Sequence, residues 1–363
     1  MKITRLRTQV VEFPYAPPMA LAADYVLRTG SCVLTFLESD QGVIGEGLAY
    51  AFNGERIRII DEMVRSFEPL VLGLDPTQCG RFLSRAWADI RPIGHSGLAV
   101  IALAAVDMAL WDLRAKLAGM NVARLIGACR VTLPVYHSGD YWVTVSLDEL
   151  QRNAAAHMAR GFRAFKLRIT PRIPDTVARM RALREVIGPD AALLVDLNQR
   201  ATVAEAIRLG RALEGYNLTW IEEPVPHHDH AGEAAVAAAL DTPLASGESV
   251  YTSRGIVEML HVRAADVVMP DLQRMGGPTE FLKAACCAQA FDTPCSNHCY
   301  TEMSLSLLAA IPNAHWLEYM PWLEPVYRER IELNKDGHAV VPERPGWGFS
   351  FDLDAIRHYA LAR

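Results

Sequence analysis

Ionisable residues close one short apolar run after another in the second half of this chain. Lys166 and Arg168 end the first such run and Asp196 the next, followed by Glu222 with Glu223, then Glu248, Asp271, His298 and Glu318. From Asp196 onward the separations are 26, 26, 23, 27 and 20 residues, the length of one strand plus one helix. Each group therefore comes from a different strand, at one common height. An acid after a strand is often only a helix N-cap, but capping explains a single residue better than a series on seven consecutive strands. Three carboxylates converging from neighbouring strands, Asp196, Glu222 and Glu248, would repel one another unless a cation sat between them. Hard oxygen donors without Cys or His favour Mg2+, with Mn2+ second. In Ile221-Glu222-Glu223-Pro224, strand alternation sends the two glutamates opposite ways, so only one can be a ligand, and the spacing does not choose between them. The run A-F-K-L-R-I (residues 164–169) alternates too, which puts Lys166 and Arg168 on one face. Two cations on a strand expected to be buried on both sides fit an acid-rich mouth and an anionic substrate.

The elements that must hold these groups are legible as eight short apolar runs. They are V-T-L-P-V-Y at 131, A-F-K-L-R-I at 164, A-L-L-V-D-L-N at 192, L-T-W-I-E-E-P at 218, P-L-A-S-G-E-S at 243, A-D-V-V-M-P-D-L at 265, T-P-C-S-N-H at 293 and A-H-W-L-E-Y at 314. Room for one helix separates each from the next, so the expected class is α/β with a parallel β/α barrel, its site at the C-terminal ends of the strands. The first third reads as an α+β unit. Strand-like segments at 2–13 and 31–39 precede the Gly-rich connection Q-G-V-I-G-E-G, and helical patterns cover about 55–71 and 97–118. Asp112 and Lys116 form an i,i+4 pair on the second helix, which Gly119 suits to stop. The last 40 residues show little helical period and read as a tail packing back on the N-terminal unit. The expected division is 1–125, 126–322 and 323–363.

Composition removes several function classes. Net charge is −6 with no basic block, which speaks against nucleic acid as a partner. The N-terminal residues lack the apolar run of a signal peptide. The most apolar segment, from Leu98, is broken by Asp107 and too short to span a membrane. Seven cysteines without a C-x-x-C pair suit reduced thiols in the cytoplasm. Cys286 and Cys287 read as core. His227, His228 and His230 lie in the loop after the fourth run and read as exposed or substrate-facing rather than as a metal cluster.

Asp196-x-Asn198, followed after a helix by Ile221-Glu222-Glu223-Pro224, resembles a signature of the enolase superfamily in its mandelate racemase and muconate-lactonizing branch. A-L-A-A-V-D-M-A-L-W-D-L-R-A-K in the 97–118 helix resembles the other signature of that branch, and the resemblance runs over nearly the whole chain. It implies a modified TIM barrel, (β/α)7β, under an α+β capping domain built from both chain ends, in a homo-oligomer of two to eight copies. Carried over by position, it makes Asp196, Glu222 and Glu248 the Mg2+ ligands and leaves Glu223 outside the trio. Asp271 in P-D-L-Q-R-M-G-G and His298 in S-N-H resemble the His–Asp dyad of the mandelate racemase subgroup, and Glu318 resembles its electrophilic glutamate. The lysine on strand six of the muconate-lactonizing subgroup has no counterpart.

The chemistry such a constellation supports is removal of a proton α to a carboxylate. The resulting enediolate carries two negative charges on one head group, which a divalent cation and preorganised donors stabilise. His298 is the expected base, oriented by Asp271, and Glu318 would have to be protonated to donate to the second carboxylate oxygen. The family pattern on strand two is K-x-K, with the second lysine as base on the opposite face. This chain has Lys166-x-Arg168, and an arginine stays protonated. That weighs against two-base racemisation and leaves intact a one-base dehydration of a small acid sugar to a 2-keto-3-deoxy acid. A racemase or epimerase of a 2-hydroxy or amino acid is the alternative, with a non-catalytic carboxylate-binding barrel behind it. A barrel metallohydrolase would want H-x-H where V-Y-H-S-G-D offers only His137. The segments expected to select substrate are P-Y-A-P-P-M-A-L-A-A-D-Y-V-L and A-Y-A-F-N-G-E. Met19, Leu21 and Tyr25, joined by Trp142 and Trp322, make this region apolar and keep an aryl- or alkyl-substituted hydroxy acid in view. Asn198 is a further candidate for substrate contact, and His137 fits either substrate contact or a satisfied core or rim position equally well.

Overall fold

The computed structural model describes residues 1–22 and 25–362. Ala23, Asp24 and Arg363 lie outside the described residues, as does the side chain of Leu21, one of the substrate-facing candidates above. The chain opens with an antiparallel sheet of β1 (Ile3–Ala22), β2 (Tyr25–Ser39) and β3 (Ile44–Phe52) in that order. β1 runs well past residue 13, where the sequence predicts its end. It is an edge strand, and its pairing shifts register between Pro14 and Met19, so the prolines fall where a ladder tolerates them.

The Leu98–Leu117 helix lies against β3. Gly45 and Gly47 permit that approach, since a Cβ on either would come within 2.2 Å of a carbonyl oxygen of the helix. Nearly every residue of this helix is buried, because it is wedged between the cap sheet and the barrel. Its two acids tie those bodies together. Asp107 accepts from the backbone N–H and the hydroxyl of Thr279 at 2.8 and 3.0 Å. Asp112 accepts from the N–H groups of Glu46 and Trp347 at 2.9 and 2.8 Å and pairs with Lys116 at 2.6 Å.

The barrel strands are β4 (Thr132–His137), β5 (Ala164–Arg168), β6 (Ala192–Asp196), β7 (Ile221–Glu222), β8 (Leu244–Ser246), β9 (Val267–Val268) and β10 (Leu317–Tyr319). They are parallel, β10 pairs with β4, and helices separate most of them. The seventh run forms no extended ladder. Bridges from Cys295 to Val268 and Ala314, and from His298 to Asp271, close the ring there. Several ladders are shorter than the apolar runs because the chain turns left-handed on leaving them. Asn198, Gln199, Glu223, Cys299 and Tyr300 all have φ between 37° and 63°. Such a turn ends the pairing and leaves side chains at the mouth.

The C-terminal segment packs on both bodies. β11 (His338–Val340) adds antiparallel to β4, while Ala360, just after the Leu353–Tyr359 helix, bridges Val11 of β1. Among the described residues, no helix is long and apolar enough to cross a membrane.

Candidate active site

A small apolar cluster of Tyr136, Ala164, Leu194, Trp220, Ala245, Val267 and Met269 draws on neighbouring barrel strands and their ends. With a period of two, the residues one step further along are Lys166 after Ala164, Asp196 after Leu194 and Glu222 after Trp220. The register sets Arg168 beside Asp196 and Asp196 beside Glu222, with Lys166 one step lower beside Leu194 and its ammonium reaching up to the acids. The apolar cluster thus supports an ionic layer.

Lys166 is fully buried. Its Nζ contacts Glu222, approaches Glu318 at 2.9 Å and Asp196 at 3.4 Å, and lies 5.6 Å from the centre of the Tyr136 ring below. Arg168 donates to the carbonyl and hydroxyl of Ser138 at 2.5 and 2.8 Å and approaches Asp196 at 3.4 Å. Its guanidinium lies over the Trp142 ring at 4.4 Å. Burial works against charge on Lys166, but Glu222, Glu318 and Asp196 outweigh it and hold the ammonium well above its usual range.

The acids around these cations are under-neutralised. Glu222 accepts from Trp220 Nε1 at 3.1 Å as well as from Lys166. Burial, reinforced by Asp196, Glu318 and Glu248, still pushes its carboxyl up to about 8. One ammonium shared among three acids cannot offset their mutual repulsion, so the extra proton belongs to the carboxylates and Lys166 stays charged. Glu223 differs from its expected placement. Its left-handed backbone (φ 37°) breaks the alternation that would turn it away, and its carboxyl is raised well above normal by burial and then by Glu248. Its Oε2 accepts from Gln199 at 2.8 Å, while Oε1 is buried without a partner among the described residues. Glu248 reaches Arg274 at 3.6 Å and His298 Nε2 at 3.5 Å.

Asp196, Glu222 and Glu248 are not among the described groups whose donor atoms all lie within 4.8 Å of one another. Glu222 contacts Lys166 and accepts from Trp220 instead. The donor set nonetheless suits a hard divalent cation: every candidate ligand is a carboxylate oxygen, the acids repel each other, and an unpartnered oxygen adjoins them.

On the far side of the mouth, His298 Nδ1 meets Asp271 Oδ2 at 2.7 Å. The other oxygen of Asp271 caps the Leu272–Met275 turn, accepting from the N–H groups of Gln273 and Arg274 at 2.9 and 3.0 Å. Asp271 is thereby fixed before it fixes the imidazole. His298 Nε2 faces Glu248 and lies 3.3 Å from Cys299 Sγ. Burial lowers the affinity of this ring for a proton, but Cys299, Glu248 and Asp271 together raise it well above the usual histidine range. Glu318 departs from the expectation that it carries a proton. Ser138 donates to its Oε1 at 2.6 Å, the Cys299 N–H to its Oε2 at 2.6 Å, and Lys166 adds a charge at 2.9 Å. Against the opposing effect of burial, Lys166, His298 and Arg168 hold it at about 2, so it is a carboxylate.

Above this layer lies a cavity of about 320 Å3. Arg168, Asn198, Arg200, Glu248, Arg274 and His298 line it from the barrel, Tyr25, Tyr50 and Phe52 from the cap, and Trp142 and Trp322 from loops between. Asn198, Tyr25 and Trp142, expected to contact substrate, thus line this cavity. His137 does not. It is fully buried, stacked on His157 at 3.6 Å with Nδ1 bonded to the Gly139 carbonyl, behind the wall rather than in it. Met19 lines a separate cavity with Pro17, Pro18 and Asp140. His227 bonds Gln199 and His230 bonds Glu233. Cys286 is exposed and Cys287 half-buried, because their helix turns that face outward.

Arg274, Ser138 and Cys299 are site residues that the sequence reading missed. The signal available was proximity: each lies one to three residues beyond a strand-end group already singled out.

The sequence model described as the mandelate racemase / muconate lactonizing enzyme N-terminal domain matches residues 3–127, and that described as enolase C-terminal domain-like matches residues 149–355. L-talarate/galactarate dehydratase of Salmonella typhimurium is 35% identical over 90% of this chain and 81% of its own length. Its structure with Mg and L-lyxarohydroxamate superposes with a TM-score of 0.95, at 32% identity over 99% of this chain and 93% of that one. An enolase from Bradyrhizobium complexed with magnesium and mandelic acid gives 0.91, at 31% identity over 99% of both chains. The fold, the match over both domains and the identity to these relatives lead to one conclusion: the chain is an enzyme of the mandelate racemase / muconate lactonizing enzyme family in the enolase superfamily.

Proposed function

We propose that the enzyme removes the α-proton of a small acid sugar from one face and expels the β-hydroxyl, giving a 2-keto-3-deoxy acid. The observation that carries this reading is the asymmetry of the two sides of the mouth. One side offers an imidazole, His298, whose Nδ1 is held by Asp271 at 2.7 Å. The other offers Arg168, pinned by Ser138 and Trp142, which cannot take a proton. Asp196, Glu222 and Glu248 would hold Mg2+, or Mn2+ in its place, and the ion when bound supplies positive charge against the developing enediolate.

Lys166 meets the substrate carboxylate as a permanent cation. In its neutral form His298 takes the α-proton at Nε2 and returns it to the departing hydroxyl, while Asp271 holds the ring in place. Glu318, kept ionised by three donors, positions Lys166 rather than donating a proton itself. Relatives that are acid-sugar dehydratases support this reading, as does the liganding of one of them by Mg and a sugar-acid hydroxamate. An epimerase would share the first proton transfer but needs a second base where Arg168 stands.

The test is incubation of aldonic and aldaric acids with enzyme and Mg2+, following 2-keto-3-deoxy acid formation. Product from an acid sugar, lost on chelation, is expected. Interconversion of epimers without loss of water would overturn the dehydratase reading.

A further inference from the structure

Among the described residues, two groups of donor atoms lie within 4.8 Å of one another, and neither is the carboxylate trio. One is His137, Asp140 and His157. Its two imidazoles stack 3.6 Å apart and 17° from parallel, so their lone pairs run side by side and do not converge on one ion. The other is His298, Cys299 and Glu318, beside the active-site cavity that His298 lines. It brings nitrogen, sulfur and oxygen together.

This second group has the make-up of a site for a thiophilic divalent cation such as Zn2+. In a tetrahedral site with bonds of about 2.0 Å to nitrogen and 2.3 Å to sulfur, those two donors stand about 3.5 Å apart. His298 Nε2 and Cys299 Sγ are 3.3 Å apart. Asp271 holds Nδ1 at 2.7 Å, the carboxylate–histidine pairing that leaves Nε2 as the ligand atom. Ser138 and Lys166 occupy Oε1 of Glu318, whereas Oε2 accepts, among the described residues, from the Cys299 N–H alone. That oxygen keeps a lone pair. Glu248 also lines the cavity, and its Oε2 lies 3.5 Å from His298 Nε2, which adds negative charge to the approach. A hard ion such as Mg2+ prefers oxygen donors throughout and gains little from imidazole and thiolate.

We infer that His298, Cys299 and Glu318 form an inhibitory site for a thiophilic divalent cation, distinct in donor chemistry from the carboxylate trio. The ion enters through the cavity, bonds to His298 Nε2, and displaces the thiol proton to solvent as it bonds to sulfur. With its lone pair engaged, His298 takes no α-proton, so turnover stops without removal of Mg2+. This rests on the reading of His298 as the base and adds to it a means of switching that base off.

The test uses the full-length enzyme with saturating Mg2+, and Co2+ and Zn2+ as probes. Co2+ is expected to give a thiolate-to-metal charge-transfer band in the near ultraviolet, which Zn2+ abolishes and Cys299→Ser lacks. The exposed Cys129 and Cys286 contribute only the background that this variant retains. During turnover of an acid sugar, Zn2+ is expected to inhibit to completion. Its inhibition constant is expected to rise at least about tenfold in Cys299→Ser, each enzyme being compared with its own uninhibited rate. Further Mg2+ is expected to leave that constant unchanged.

Absence of a thiolate band from the wild type, or an equal band in Cys299→Ser, would overturn the site. So would inhibition that excess Mg2+ relieves, which would place Zn2+ on Asp196, Glu222 and Glu248 instead. These results leave the α-proton chemistry standing. A thiolate band accompanied by undiminished turnover would overturn both the inhibitory role and His298 as the base. If no acid undergoes α-proton exchange at all, the proposed function fails and the inhibitory role with it, while the Co2+ spectrum still reports whether the cation site exists.

Discussion

Two regions of this molecule bury carboxylates, and they do so in opposite ways. On the Leu98–Leu117 helix, each oxygen of Asp107 accepts from Thr279, and Asp112 accepts from two backbone N–H groups and Lys116. At the barrel mouth, Glu222 and Glu223 face other acids, share too few cations and leave one oxygen unpartnered among the described residues. A buried charge with a donor for each oxygen is a joint between bodies. A set of buried charges that destabilise each other persists only where chemistry uses the charge. Burial alone does not separate the two cases, because all four residues have relative exposures of 1% or less. The partner list does.

The sharpest contrast is between Glu222 and Asp112. Glu222→Gln is expected to cut turnover roughly 1,000-fold or more by weakening the divalent-cation site, with Tm held or raised because one repelling acid has gone. Calorimetric titration with Mg2+ and a thermal melt read the two effects separately. Asp112→Ala is expected to do the reverse: a loss of about 3 kcal/mol in chemical denaturation, with kcat of the folded protein changed little. A stability loss in Glu222→Gln as large as that in Asp112→Ala would erase the distinction.

Glu318→Gln asks whether that residue works as an anion. If it positions Lys166 as a carboxylate, the amide is expected to lower kcat about 100-fold. If it works as a neutral donor, the amide keeps a donor in place and activity stays near wild type. Smaller again is Glu223→Gln, expected to cost no more than about tenfold, since only the fourth acid is neutralised.

The pH dependence of stability tests the helix side. Burial pushes the Asp107 carboxyl up to about 7 despite its bonds to Thr279. The folded chain therefore keeps a proton that the unfolded chain releases near pH 4. The stability contributed by that proton is fully present below about pH 4 and is lost as pH rises through 7, by about 4 kcal/mol at most. Denaturation midpoints at pH 5 and 8 should converge in Asp107→Asn relative to wild type.

The contrast also explains what could be read from the chain. Spacing alone aligned Asp196, Glu222, Glu248, Asp271, His298 and Glu318, because each strand–helix unit returns the chain to one rim. Left-handed residues were not legible, so β7 shrank to two residues and Glu223 turned inward against the alternation. Protonation was not legible either: Glu318 is held low by the charges of Lys166, His298 and Arg168, and spacing along the chain does not show how closely groups on other strands approach it. The prolines of β1 read as a loop because an edge strand with a register shift looks the same. The C-terminal β11 was missed because three residues added to one barrel strand carry no period. The place of His137 was not legible, because a histidine at a strand end looks the same whether it faces the cavity or stacks behind it.

The central claim is that one face of the mouth carries a base and the other an arginine that cannot act as one. Deuterium exchange resolves this directly. Each C2 epimer of a turned-over acid sugar is incubated with enzyme and Mg2+ in deuterated water, and solvent exchange and product are followed by NMR. The account predicts turnover of the isomer whose α-proton faces His298, no exchange in its epimer, loss of both in His298→Asn, and exchange from the opposite face appearing in Arg168→Lys. Exchange of both epimers by the wild-type enzyme would contradict it.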